Sequence, residues 1–206
     1  QVTLTLNASP SAKGGHDEVI VPVAGVRQLY YYDWIYENIR KVEKASNGKI
    51  GYLHIPDMSL GGLVTFSKFF LPQLRKKALI VDVRGNGGGF VSELIMERLR
   101  REAVMIDMAR GTIPTSNPTE MIYGPMVCLC DEFSASDGDI FPYRFKKYKR
   151  GKLIGKRTWG GVVGIRNPLP LLDGGQLFKP EFASYDLEGK KWIMEGHGVE
   201  PDITVD

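Results

Sequence analysis

Two short segments hold the residues best suited to chemistry. The first, Arg84-Gly85-Asn86-Gly87-Gly88-Gly89-Phe90, leaves an apolar run and enters a stretch of helical periodicity. Such a turn exposes unpaired backbone N–H groups near a helix start, where negative charge is stabilised, so it could hold an anion or a reaction oxyanion. Phe90 stands where a dinucleotide fingerprint needs glycine, and no Lys-Ser or Lys-Thr pair follows the glycines as a phosphate loop requires. Both nucleotide readings fail, and the remaining alternative is a tight turn that needs glycine only for steric reasons. The second segment is Asp131-Glu132-Phe133-Ser134-Ala135-Ser136-Asp137-Gly138-Asp139-Ile140-Phe141. Small residues around Ser136 would let a substrate carbonyl approach, and a helix start would favour the charge of a tetrahedral intermediate. The alternative is an ordinary helix cap, because Ser and Asp are preferred there and Ser134 or Ser136 could do only that.

A serine nucleophile needs a base, and the histidines are His16, His54 and His197. His54, on an apolar strand, reads as a satisfied core residue. His197 lies two residues from Glu195, too close along the chain to assume a relay. His16-Asp17-Glu18 is too local for a metal site and no His/Glu spacing matches a metalloprotease, so neither metal nor other cofactor is expected. Cys128 and Cys130 point to one face of an apparent strand and into the core, unlike a zinc knuckle or a redox CxxC pair.

The elements that must position these residues follow from periodicity. At 206 residues and 43% apolar content the chain can bury a full core, enough for one domain and a smaller attached piece. Strands are expected at residues 2–6 and 19–23, separated by a polar turn, and an amphipathic helix at residues 27–44, ended by Asn47-Gly48. Then an α/β alternation sets in: strand 50–55, helix 60–76, strand 78–83, the glycine turn, helix 91–101, strand 126–130, and a helix from about 136 to 147. Strands apolar at nearly every position are expected to be covered on both faces. Beyond Lys152 short strands dominate, for example 175–178 and 191–194.

Charge excludes some partners. With 27 basic and 24 acidic side chains the net charge is +3, too small a field to draw nucleic acid or a membrane. The basic run Arg144, Lys146, Lys147, Lys149, Arg150 and Lys152 reads as the solvated face of a helix rather than a phosphate-binding surface. No stretch of about 20 apolar residues and no secretory signal occurs, so the chain reads as soluble, with cytoplasm and periplasm both open. Starting at Gln1 without methionine, it reads as a mature or excised segment.

Four segments together resemble the tricorn proteases, within the wider group of tail-specific, carboxyl-terminal processing peptidases. They are Ile50-Gly51-Tyr52-Leu53-His54-Ile55-Pro56-Asp57-Met58, the glycine turn with its lead-in Val81-Asp82-Val83-Arg84, the Ser134 to Phe141 segment, and Leu153-Ile154-Gly155-Lys156-Arg157-Thr158-Trp159-Gly160-Gly161-Val162-Val163-Gly164. The resemblance runs from about Ile50 to Asp202. It implies a crotonase-like or ClpP-like core of layered sheet and helices over residues 49–206, preceded by a connector helix at 25–48 and by the last strands of a PDZ-like module at 1–24. It further implies a serine peptidase acting on peptides or unfolded proteins. Ser136 would be the nucleophile, and the backbone N–H groups of Gly89 and Asp137 the oxyanion hole. Glu195, in Met194-Glu195-Gly196-His197, would be the buried carboxylate that orients the catalytic histidine. Asp107 would help select a basic substrate side chain in a neighbouring subunit's site, which presupposes a homo-oligomer.

Two departures from that group stand out. The lysine base of the bacterial and chloroplast processing peptidases would align with Gly161, so a Ser-Lys dyad is excluded. None of the three histidines lies in a segment like the catalytic one, so the base is expected from a missing upstream part of the same protein. The rival readings are a crotonase-like acyl-coenzyme A enzyme and a noncatalytic peptide-binding module.

Overall fold

Five strands with apolar sequences pair into a single parallel sheet. In the computed structural model, which describes residues 1–10, 13–166 and 168–206, these are β3 (Ile50–His54), β4 (Ala78–Asp82), β7 (Met126–Cys130), β8 (Gly151–Gly155) and β15 (Ile203–Thr204), ordered β15-β8-β7-β4-β3. Parallel neighbours require crossovers, supplied by α2 (Leu60–Phe70) between β3 and β4 and by α4 (Asp137–Lys147) between β7 and β8. The path from β4 to β7 contains α3 (Ser92–Leu99) and a two-stranded hairpin of β5 (Met105–Asp107) and β6 (Thr115–Asn117). Short antiparallel pairs fill the stretch between β8 and β15: β9 (Gly164–Ile165) with β12 (Pro180–Phe182), β10 (Leu169–Pro170) with β11 (Gln176–Leu177), and β13 (Tyr185–Asp186) with β14 (Lys191–Trp192).

The core packs sheet residues Leu53, Leu79, Val81, Cys128 and Leu153 with Phe66 and Phe70 of α2, Ile95 and Leu99 of α3, and Phe141 and Phe145 of α4. Both cysteines are buried and unpaired, as their spacing predicts, and burial pushes the Cys130 thiol up to about 12. Coverage of the sheet is less even than its sequence suggests: Met126, Cys128 and Cys130 are buried, whereas Val127 and Leu129 between them are only half-buried.

Most element boundaries follow the sequence, and the exceptions have local causes. The second helix stops at Phe70 rather than at residue 76 because Pro72 cannot continue an α-helical ladder, and a 3₁₀ turn, Leu71–Gln73, takes over. At its other end Ser59 accepts from the Gly61 and Gly62 amides, a cap of about 1 kcal/mol. The third helix begins at Ser92 and ends at Leu99, shorter at both ends than residues 91–101. The β5–β6 hairpin lies between helix and strand where the sequence suggests no element.

Residues Gln1–Glu37 and Asn38–Asp206 form two compact units, with the helix α1 (Arg27–Ser46) contributing to both. α1 ends where Asn47 and Gly48 adopt positive φ. In the first unit β1 (Val2–Leu6) pairs antiparallel with β2 (His16–Ile20), three residues earlier than the apolar run 19–23 suggested, since the register joins Val2 to Ile20 and Leu6 to His16. The expected polar turn between them includes residues 11 and 12, which lie outside the described residues. Among the described residues no helix is long and apolar enough to cross a membrane.

Candidate active site

The loops that leave the carboxyl ends of β3, β4, β7 and β8 converge at one end of the sheet, where ligand sites of parallel α/β sheets form. Hydrogen bonds between these loops hold the glycine turn and the serine turn together. Asn86, fully buried, donates through Nδ2 to the Ile55 carbonyl (2.9 Å), accepts at Oδ1 from the Gly88 amide (2.9 Å), and accepts at its backbone oxygen from the Ala135 amide (2.8 Å). The Asp131 carboxylate accepts from the Gly85 amide (2.9 Å) and the Ser134 hydroxyl (3.1 Å). Ser134, also fully buried, donates to the Val83 carbonyl (2.9 Å). Ser134 is therefore structural.

Ser136 is different. It is the residue before α4, yet its side chain makes no capping bond, and the capping alternative fails for it. Its hydroxyl has no hydrogen-bond partner among the described residues, its side chain is half-exposed, and its backbone is held at φ 57°, ψ −121°. A positive φ in a residue with a Cβ costs energy, of order 1–3 kcal/mol, and persists only where the surroundings impose it. Such strain at a strand-to-helix turn is how a serine oxygen is thrust out of the backbone layer.

Glycine is required where the second turn meets the first. A Cβ on Gly88 would lie 2.6 Å from the Ser136 Cβ, and one on Gly89 would lie 2.1 Å from the Met58 carbonyl oxygen; both residues have positive φ. Gly89 forms a one-residue parallel bridge with Met58, in which the Met58 amide donates to Gly88 and the Phe90 amide donates to Met58. In such a bridge the amide of the residue in between points to the opposite edge. Accordingly, neither the Gly89 nor the Asp137 amide donates to any group among the described residues. The helix start expected to support Gly89 is displaced: α3 begins only at Ser92, and its first amide is taken by the Asp137 carboxylate (2.9 Å), which also accepts from the Ser92 hydroxyl. Favourable helix polarity at the serine comes from α4 alone.

Glu195 lies across the segment that follows β8. Its Oε2 accepts from the Val162 and Val163 amides (2.8 Å each), and the Gly196 amide donates to Gly160 (2.8 Å). The carboxylate is exposed, not buried as the relay pattern led us to expect, because it sits on the outer side of that segment. Asp139, not among the candidates drawn from the sequence, bonds to the Ser136 carbonyl through its amide (2.9 Å) and feels the Glu195 charge. The signal was available: Ser136 and Asp139 have the spacing of a capping box.

None of the three histidines hydrogen-bonds to Ser136. His54 is buried against the Arg84 carbonyl (2.9 Å), and burial holds its pKa below the usual histidine value. His197 is exposed, with Nδ1 on the Glu195 carbonyl (3.1 Å), and His16 lies on β2. A lysine at position 161 would also be obstructed, since a Cβ there would lie 2.1 Å from the Trp159 ring. Asp107 sits exposed on β5, accepting from Asn117 of the same hairpin (3.2 Å), and no hydrogen bond joins it to the Ser136 turn. Only half of the basic run lies on a helix: Arg144, Lys146 and Lys147 end α4, with Lys146 paired to Asp202 and Lys147 to Asp186 and Glu188, whereas Lys149 and Arg150 follow the helix and Lys152 lies on β8.

Residues 49–205 match the sequence pattern of Peptidase family S41. The chain belongs to that family. Over 201 residues it is 41% identical to tricorn protease homolog 1 of Streptomyces coelicolor, covering 97% of this chain and 19% of that protein. It is 43% identical over 198 residues to the tricorn protease of Thermoplasma acidophilum, covering 95% of this chain and 18% of that one. A crystal structure of the tricorn protease superimposes with a TM-score of 0.87 at 42% identity, over 94% of this chain and 19% of that chain. The photosystem II D1 C-terminal processing protease shares the fold at 21% identity, with a TM-score of 0.53. This S41 chain thus spans under a fifth of the length of these tricorn relatives.

Proposed function

We propose that this chain is the nucleophile-bearing part of a tricorn-type serine peptidase that cleaves peptides or unfolded proteins. The observation that carries the proposal is a serine with a strained backbone and an unengaged hydroxyl, followed by an amide without a partner and packed on Gly88 of the glycine turn, whose Gly89 amide also lacks one among the described residues. The Ser136 oxygen attacks the scissile carbonyl, and the resulting oxyanion accepts from the Gly89 and Asp137 amides. A base takes the serine proton and passes it to the leaving amine as the C–N bond breaks. Water then hydrolyses the acyl-enzyme by the same route in reverse.

The base is a histidine from outside these 206 residues, oriented by Glu195, whose exposure leaves its second oxygen open to such a partner. In the same reading residues 1–24 are the last strands of a PDZ-like module, 25–48 a connector, and 49–206 a crotonase-like catalytic core. Asp107, out on its hairpin, serves a neighbouring subunit of a homo-oligomer by favouring a basic side chain before the scissile bond.

The test compares two forms of the protein on unfolded peptides. The 206-residue chain alone should show no serine-dependent turnover, whereas a polypeptide extended upstream to include the histidine should cleave, and Ser136→Ala should lower its kcat by roughly four to six orders of magnitude. Robust Ser136-dependent cleavage by the chain alone would overturn the external base. Cleavage by the extended form that survives Ser136→Ala would overturn the peptidase assignment.

A further inference from the structure

Asp139 is a charged group that the proposed reaction does not use, set in the middle of the residues that it does use. It occupies the first turn of α4 and is fully buried. Its Oδ1 accepts from the Gly160 amide (2.8 Å), and the Thr158 hydroxyl and the Ser136 backbone amide also favour its ionised form. Its Oδ2 is buried with no hydrogen-bond partner among the described residues. Burial, opposed by those three donors and reinforced by the nearby Glu195 charge, raises its pKa above the ordinary aspartate value.

The segment that Asp139 grips is bound on its other side to the loop carrying Glu195. Thr158 exchanges hydrogen bonds with Val199: its amide donates to the Val199 carbonyl (3.1 Å) and its hydroxyl accepts from the Val199 amide (2.8 Å). Trp159 donates to Ser134 (2.9 Å), Gly160 accepts from Gly196 (2.8 Å), and the amides of Val162 and Val163 hold Glu195. A neutral acceptor would satisfy the Gly160 amide equally well. Burying a carboxylate with an orphaned oxygen beside a second carboxylate is costly, and such costs concentrate where a site needs a charge in a fixed place.

We propose that Asp139 is a positioning residue of this site: its amide donates to the Ser136 carbonyl (2.9 Å) and its carboxylate accepts from Gly160 (2.8 Å), so that it ties the start of α4 to the Thr158–Gly160 turn and, through that turn, fixes the place of Glu195. The inference deepens the peptidase reading and rests on it for the roles of Ser136 and Glu195. The tie itself is internal to this chain.

Amide NMR on the 206-residue chain, titrated from pH 4 to pH 8, tests it without requiring turnover. The amides of Ser136, Gly160, Val162 and Val163 should share one titration step above the ordinary aspartate range. Asp139→Asn should abolish that step at all four. Glu195→Gln removes a neighbouring negative charge, so it should leave the step in place at Ser136 and Gly160 but move it to lower pH. A folded Asp139→Asn chain whose Ser136 and Val162 amides titrate as before would overturn the proposal. Should that variant not fold, the Glu195→Gln arm decides, and a Gly160 midpoint that does not move there would overturn it equally. In the extended, cleaving polypeptide Asp139→Asn should lower kcat by about tenfold to a hundredfold with KM little changed, the signature of a misplaced catalytic group. Failure of the peptidase assignment would appear instead as cleavage insensitive to Ser136→Ala, with the amide titrations unaltered.

Discussion

The Ser136 turn and the loop bearing Glu195, the two parts of the proposed site, are built in opposite ways. Around Ser136 everything needed is internal: Asn86, Asp131 and Ser134 fasten two loops together, the spaces are tight enough to demand glycine at positions 88 and 89, and two amides are left free. Glu195 is exposed, held by two amides through one oxygen, and the remaining oxygen accepts no hydrogen bond among the described residues. In the proposed reaction the half that would stabilise developing charge is preorganised within the fold. The half that would move the proton is open to a partner. A preorganised oxyanion site must resist reorganisation, which burial supplies, whereas a residue that receives its partner from elsewhere must stay accessible.

The contrast is broken most forcefully at Gly89. In the extended polypeptide, Gly89→Ala places a Cβ about 2.1 Å from the Met58 oxygen in a backbone at φ 147°, so the amide must move away from the oxyanion. We expect kcat to fall by about a hundredfold to a thousandfold. The denaturation midpoint should drop too, by the equivalent of about 1–3 kcal/mol for an overpacked contact. If kcat is unchanged while the protein is destabilised, the Gly89 amide is a turn donor and nothing more.

Much of the buried half was legible in the sequence, and the reason is steric. Clustered glycines and small residues at strand ends can be read without coordinates because few other residues fit there, which is how the turns carrying Gly89 and Ser136 could be picked out. Asn86 was not read, since its importance lies in bonds to residues 55, 88 and 135, remote in sequence except for Gly88, and the capping-box spacing of Asp139 carries no hint of its bond to Gly160. The exposure of Glu195 was misjudged for the converse reason. A motif carries the identity of a carboxylate but not which side of its loop faces water. The displaced start of α3 belongs here as well: periodicity locates a helix but not the single residue where its free amides begin.

A smaller and opposite-signed effect should separate the stability of the buried half from its function. Because Asp139 has a pKa raised by burial, the folded state binds its proton more tightly than the unfolded chain does. Stability from this group is therefore present below the ordinary aspartate pKa of about 3.9, falls as pH rises from there to the raised value, and is absent at neutral pH. Asp139→Asn removes the buried charge, so its Tm at pH 7 should exceed that of the parent, with the difference vanishing in acid. A variant that gains heat resistance while the extended polypeptide loses kcat would mark a charge retained for the site at the expense of the fold. A lower Tm at neutral pH would make Asp139 an ordinary structural acceptor.

The smallest effect is expected at Asp107, exposed on the β5–β6 hairpin. The residue is solvated and bonded only within its hairpin, so any attraction it exerts on a basic substrate side chain acts through water and is worth at most about 1 kcal/mol. Asp107→Asn should then raise KM for peptides with arginine before the scissile bond by no more than about fivefold, leave kcat alone, and spare peptides with a neutral residue there. Raised salt should erase the difference between the two peptide classes in the parent, because an exposed pair is screened within about 10 Å at 0.1 M. A much larger loss would mean that oligomerisation buries Asp107 against its substrate, removing the water that weakens it here. Equal KM for both peptides in parent and variant would leave Asp107 a solvated hairpin carboxylate, with specificity drawn from the walls of the buried half.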